Sequence, residues 1–119
     1  MSEQPKEFYG LLEAIRERPA MYLGIESLDR LDMWLQGYKD AKWQYGITPD
    51  ANEKEFYDRE EGFDEFVQHK YDWHDVGGWA AKIRYYHRND VAALYEFFGL
   101  LDEFRQTKAD KIKSLDSDK

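Results

Sequence analysis

The chain has 119 residues, of which 42% are hydrophobic and 35% charged, so it is large and apolar enough to fold as one domain. Its formal net charge of −8 opposes direct binding to nucleic acid, because phosphate contacts need clustered Lys and Arg. The absence of cysteine excludes disulfides and thiol chemistry.

The start of the chain resembles neither a signal peptide nor a membrane anchor. Residues 1–6 are polar, and no apolar run approaches the roughly 20 residues that span a bilayer. We therefore expect a cytoplasmic protein without a membrane segment.

The first helix is predicted over residues 5–18. Its apolar residues recur at the helical period and fall on one face, and they are Phe8, Leu11, Leu12 and Ile15. Proline disfavours a helical conformation in the residue before it, so Pro19 should end this helix. Residues 20–24 should then form a connector.

The second helix is predicted to begin after Ser27, a residue type that caps helices well, and to run toward Gly46. Its apolar and aromatic stripe consists of Leu28, Leu31, Leu35, Tyr38 and Tyr45. The following residues, 46–50, contain Gly and Pro and should form a loop.

The middle of the chain is predicted to contain a third and a fourth helix. The third covers residues 52–71 and is interrupted at Gly62, because glycine costs about 1 kcal/mol relative to alanine inside a helix. A loop over 71–78 leads to a short fourth helix over 79–86. Residues 82–87 would also tolerate an extended chain.

The fifth helix should begin after Asn89 and has the clearest apolar stripe, which ends near Phe104. Residues 107–119 are polar and predict a charged, frayed or disordered tail. The sequence thus predicts an all-α fold, with residues 1–106 forming a single domain of about five helices in a bundle-like or orthogonal array.

Negative charge is concentrated between Asp50 and Asp75. This acidic window contains ten acidic residues against three basic ones, which leaves −7 of the chain's −8, and six aromatic residues lie among the acids. Such a window is typical either of a recognition surface for a cationic partner or of a solvated helix that keeps the protein soluble. The predicted partner-binding residues are Glu60, Glu61, Asp64, Glu65, Asp72, Trp73 and Asp75.

Signals for catalysis and for a metal or cofactor are weak. The histidines, at 69, 74 and 87, include no pair at the spacing that puts two imidazoles on one helical face. His69, Asp72 and His74 could ligate zinc from a loop, but their spacing matches no zinc motif. No nucleophile–base pair is readable either. We therefore predict a binding protein rather than an enzyme, without cofactor or metal.

One local segment, Leu12 to Gly24, resembles the start of the ATPase domain of bacterial type II topoisomerases. In that family a similar helix ends in Arg-Pro-Gly-Met-Tyr-Ile-Gly. The family's magnesium-nucleotide asparagine and its later glycine-rich segments have no counterpart here. We interpret the segment as a helix stop, in which Pro19 ends the helix, residues 21–23 enter the core and Gly24 relieves the turn.

A second resemblance is spread over most of the chain. Its pieces are Arg18 to Gly24, Ser27-Leu28, Leu35 to Tyr38, Phe63 to Val67, Gly78 to Ile83 and Ala93 to Phe104. They are similar to small bacterial proteins associated with polymorphic-toxin loci as immunity proteins. This resemblance implies a protein that binds and neutralises a cognate toxin, which the acidic window suggests is a basic nuclease. The alternative is a small regulatory or scaffolding protein, including an acidic nucleic-acid mimic that binds a DNA-binding protein.

Overall fold

The computed structural model describes residues 7–75 and 77–117. These residues form helices and no strand, which confirms the predicted all-α domain. The helices are α1 (Phe8–Glu17), α2 (Pro19–Leu23), α3 (Leu28–Gln44), α4 (Ala51–Phe56), α5 (Phe63–Tyr71), α6 (Trp79–Tyr86) and α7 (Asp90–Ser117). In the part of the chain described, none of them combines the length and apolarity needed to cross a membrane.

The predicted connector after Pro19 is a helix, which is the first departure from the five-helix prediction. Proline ends α1, but its fixed φ also suits the first position of a new helix, and Pro19 occupies that position in α2. Leu23 is buried and Tyr22 packs against the core, whereas the Met21 side chain is 69% exposed, so its predicted core position was wrong. Gly24 has a φ of +85° and turns the chain toward α3.

Helix α3 begins where the sequence predicts it. The hydroxyl of Ser27 accepts a hydrogen bond of 3.1 Å from the backbone amide of Arg30, as expected of an N-cap. Leu28, Leu31 and Leu35 are buried and Tyr38 packs against the core, so this part of the predicted stripe is confirmed. Tyr45 follows the last helical residue and is 80% exposed, so its predicted place on the stripe was wrong.

The predicted third helix is two helices, α4 and α5, separated by a turn over residues 57–62. The turn packs so tightly that a Cβ on Gly62 would lie 2.2 Å from the Asp58 carbonyl oxygen. The Asp58 carboxylate in turn accepts a 2.9 Å hydrogen bond from the amide of Glu60. The sequence locates the break correctly but understates its extent.

An aromatic core joins α4, α5, α6 and α7. The ring of Phe63 stacks on Phe56 with centroids 4.9 Å apart, and it meets Trp79 edge-on at 5.6 Å. Trp79 also lies 4.8 Å from Phe97 of α7. These contacts fix α5 beside α6, and residues 72, 74, 75, 77 and 78 between the two helices are exposed.

The extended alternative for residues 82–87 is wrong for residues 82–86, which belong to α6. Only His87, which follows the helix with φ −129° and ψ 96°, is extended. The physical reason is burial. Trp79, Lys82 and Ile83 share one buried helical face, and an extended chain would break that face apart.

Helix α7 continues to Ser117 through the segment for which the sequence predicts a frayed or disordered tail. Contacts one turn apart accompany this extension. The Thr107 hydroxyl donates to the Glu103 carbonyl at 2.9 Å, and the Gln106 side chain donates to Asp110 at 2.9 Å. Lys111 also pairs with Glu61 at 3.1 Å, which ties the extension to the rest of the protein.

Candidate functional site

The seven predicted binding residues lie at the two ends of α5 rather than in one cluster. Glu60, Glu61, Asp64 and Glu65 surround its beginning and are called the amino-terminal group. Asp72, Trp73 and Asp75 follow its end and are called the loop group. The nine residues of α5 span about 13 Å at 1.5 Å per residue, so Glu60 and Asp72 lie at opposite ends of this helix.

Most of the amino-terminal group already interacts within the chain. Asp64 accepts a 2.7 Å hydrogen bond from the backbone amide of Trp79 and so satisfies an amide at the start of α6. Glu65 lies 2.8 Å from the imidazole of His69. With Glu61 paired to Lys111, these acids have structural contacts that compete with any partner.

A groove of about 340 Å³ runs between this group and α7. Its floor is apolar and includes Phe66 and Phe104, whose ring centroids are 5.7 Å apart. Glutamates 60, 61 and 65 line one side, whereas Lys108 and Lys111 line the other. Because both signs of charge border it, the groove has no clear preference for a basic partner.

Other acids of the window also serve the fold. Asp50 accepts hydrogen bonds from the amides of Phe8 and Glu53, at 2.8 and 2.9 Å. Glu53 is itself buried and pairs with Lys42 at 2.6 Å. Much of the charge that the sequence assigns to one surface is therefore part of the scaffold.

The loop group is placed by the end of α5. Asp72 adopts a left-handed conformation with φ +48°, and its side chain is 97% exposed. The next amide, that of Trp73, donates to the Gln68 carbonyl at 2.9 Å and closes the helix end. This turn directs Trp73 toward α6.

Trp73 joins an aromatic cluster with Tyr85 and Tyr86. Its ring centroid lies 4.9 Å from that of Tyr85 and 6.1 Å from that of Tyr86, and the two tyrosine rings are 5.1 Å apart. The side chains of Tyr85 and Tyr86 are 68% and 51% exposed. Tyr71 stacks on Tyr86 at 4.6 Å, and burial, together with the Glu96 carboxylate, raises the pKa of Tyr71. The cluster therefore combines two exposed tyrosine rings with the half-buried Trp73.

Lys82 connects this cluster to the loop. Its side chain is buried, and the ammonium group donates to the backbone carbonyls of Asp75 and Gly77. The same nitrogen lies 5.8 Å from the ring centroid of Trp73. The sequence prediction missed Lys82, although its spacing from Trp79 and Ile83 places it on the buried face of α6.

The residues considered for zinc do not form a metal site. His69 and His74 approach each other with ring centroids 5.3 Å apart, but each has a carboxylate neighbour: Glu65 for His69, and Asp72 at 3.5 Å for His74. Across residues 7–75 and 77–117, no group of three or more His, Asp or Glu side chains could hold a metal ion.

Comparison of the chain with protein-family models, with curated proteins and with solved structures finds no match. The two sequence resemblances therefore stay predictions. Among the described side chains, the loop group and the neighbouring Tyr85 and Tyr86 of α6 combine exposure, aromatic area and negative charge.

Proposed function

We propose that this protein is an immunity-type inhibitor, which binds a basic toxin protein, in particular a nuclease, and neutralises it. The observation that carries the proposal is the aromatic cluster of half-buried Trp73 with exposed Tyr85 and Tyr86, together with the exposed acid Asp72, which precedes Trp73 in the chain. The proposed role is binding rather than catalysis.

The aromatic cluster supports this role because Trp and Tyr supply most of the binding energy at many protein interfaces. Each ring offers a large apolar area with few rotatable bonds, so little conformational entropy is lost on binding. Tyr85 and Tyr86 are exposed even though they lie beside a well-packed core. Their exposure leaves apolar area that a partner can cover.

Residues 73, 75 and 77 of the loop also have contacts that hold them in place before any partner arrives. Lys82 bonds two of the loop carbonyls, and the amide of Trp73 closes the end of α5. Ordering a loop on binding costs free energy, so a loop that is already ordered binds more tightly for the same contacts.

The charge of the chain favours a basic partner. Its formal net charge is −8, and the acidic window on which the loop group lies carries most of it. Such a field accelerates association with a cationic protein and weakens as salt is added. A nuclease toxin fits this description, because an enzyme that holds nucleic acid presents Lys and Arg to phosphates.

The test is to co-express the chain with the protein encoded by the gene immediately upstream and to measure growth together with pull-down of the purified pair. Replacing Asp72, Trp73 and Asp75 with Ala should abolish protection and retention of the toxin. The matched charge control replaces Glu17 and Asp40, which are exposed and lie outside the window, and it should behave as the wild type.

Two results would contradict the proposal. A triple variant that folds and still protects cells would exclude the loop group as the binding surface. A wild-type chain that gives no protection but retains a DNA-binding regulator would support the nucleic-acid mimic instead.

A further inference from the structure

We infer that the aromatic cluster is a receptor for an arginine side chain, with Tyr85 and Tyr86 contacting the guanidinium and Asp72 supplying the counter-charge. This inference rests on the proposed function and specifies the chemical group that the partner would present. It assigns different roles to the rings and to the carboxylate.

The three rings meet at nearly right angles. The planes of Trp73 and Tyr85 are inclined by 74°, those of Trp73 and Tyr86 by 84°, and those of the two tyrosines by 82°. All three centroids lie within 6.1 Å of one another, so the edge of one ring covers part of a face of the next. A guanidinium at this corner would therefore contact the outward surfaces of Tyr85 and Tyr86, which are 68% and 51% exposed.

The protein already places a cation against one of these rings. The ammonium group of Lys82 lies 5.8 Å from the Trp73 centroid, and it is fixed there by two backbone carbonyls. Elsewhere the guanidinium of Arg105 lies 4.6 Å from the ring of Tyr9. Because Lys82 is buried, its ammonium contacts Trp73 from inside, and its positive charge opposes a second cation there. An incoming guanidinium would therefore use the exposed tyrosine rings and the Asp72 carboxylate.

Arginine fits the corner better than lysine. A guanidinium group is planar and weakly hydrated, so it can stack on an aromatic ring and still donate two parallel hydrogen bonds to a carboxylate. Asp72, next to Trp73 in the chain, offers such a carboxylate, with its side chain 97% exposed and the His74 imidazole 3.5 Å away. A lysine ammonium could satisfy the carboxylate but not the planar stacking.

The experiment titrates N-acetyl-arginine methylamide into the purified chain and follows the indole N–H signals by NMR. The citrulline analogue has the same shape without the charge and is the matched probe. The signal of Trp73, assigned with Trp73→Phe, should shift saturably with the arginine probe and not with the citrulline probe. The signal of Trp43, which is 83% exposed on α3, should not move and reports non-specific contact.

Two variants test the assigned roles. Asp72→Asn keeps a residue that tolerates the left-handed conformation, and Tyr85→Leu removes a ring that is mostly exposed, so both should fold. Each should weaken arginine binding by about threefold to fivefold, as expected for one exposed cation–aromatic or charge contact. Asp40→Asn removes an exposed charge on α3 and should leave the affinity unchanged.

Equal shifts with both probes, or equal shifts at Trp43 and Trp73, would overturn the arginine site. If the toxin is retained through the loop group while the arginine probe gives no saturable shift, this inference fails and the proposed function stands. If the probe binds at Trp73 but no toxin is neutralised, the proposed function fails and the arginine site stands.

Discussion

Replacing Lys82 with Met tests whether a buried ammonium group holds the loop in place. Methionine is apolar and similarly long, but it cannot donate to the carbonyls of Asp75 and Gly77. Each hydrogen bond from a charged donor contributes about 1.5–3 kcal/mol, so the gross loss is about 3–6 kcal/mol. Burying an ammonium group costs several kcal/mol, which its removal recovers, and both carbonyls belong to exposed residues that water can reach. We expect the free energy of unfolding to fall by about 1–2 kcal/mol.

The loop should respond more strongly than the fold as a whole, because the core contacts of α6 through Trp79 and Ile83 remain. Chemical denaturation followed by circular dichroism measures the global effect. Amide hydrogen exchange of residues 72–75 and 77–78 measures the local one, and it should be faster in the variant at unchanged temperature and pH. The proposed binding of the toxin should also be weaker in this variant, because a loop that has lost its contacts with Lys82 would have to be ordered on association.

Lys54→Met is the matched control, since Lys54 is an exposed lysine on α4 and its replacement makes the same change in charge and hydrophobicity. The control should change neither stability nor exchange at the loop. Wild-type exchange rates in Lys82→Met would refute the proposed clamp. A variant more stable than the wild type would show that the cost of burying the ammonium group exceeds the value of its bonds, which is also contrary to our reasoning.

Three further predictions concern the scaffold that presents the loop. Gly62→Ala should lower the free energy of unfolding, measured by denaturant titration, by about 2–3 kcal/mol, because its Cβ would lie 2.2 Å from a backbone carbonyl oxygen. The control Gly37→Ala places a Cβ in open space on α3 and should be neutral or stabilising in the same assay. Asp64→Ala should cost about 1 kcal/mol through the lost acceptor at the start of α6, whereas Asp64→Asn, which keeps an oxygen acceptor, should retain most of the stability in the same assay. Burial raises the pKa of Tyr57 above the ordinary value of 10.0, so the unfolded chain ionises first and stability should fall as the pH rises above 10. Tyr57→Phe should reduce this fall, and an unchanged pH dependence of unfolding would contradict the assignment.

Local patterns were sufficient to predict most of the helices. The spacing of apolar residues locates the faces of α1, α3 and α7, and Ser27 fixes the start of α3, because each signal depends on residues within a few turns. Pro19 predicts the end of the first helix, but the fixed φ of proline also suits the first position of α2. The length of the turn before α5 depends on the close approach of Gly62 to Asp58, which helical periodicity does not describe.

The candidate site was predictable only in part. The acidic, aromatic-rich window predicts Asp72 and Trp73 as binding residues, but the sequence does not tell which acids of the window have hydrogen-bond partners inside the protein. Asp64 illustrates this limit, because its hydrogen bond to Trp79 joins residues from two helices. Tyr85 and Tyr86 were missed because they lie far from Trp73 in the sequence, and the far end of α6 meets that ring only through tertiary packing.

Because many of the acids are paired within the chain, their effect on the rate of association differs from their effect on the lifetime of a complex. A carboxylate such as Glu65 or Asp64, bound within the chain, still contributes to the field that a distant cationic protein experiences, so it can influence the rate of association. The short-range contacts that determine the lifetime of a complex need atoms that a partner can reach, and the loop group with Tyr85 and Tyr86 offers them. In the proposed complex, the acidic window and the aromatic cluster would therefore act at different distances, and the selection of one chemical group over another would depend on the aromatic cluster.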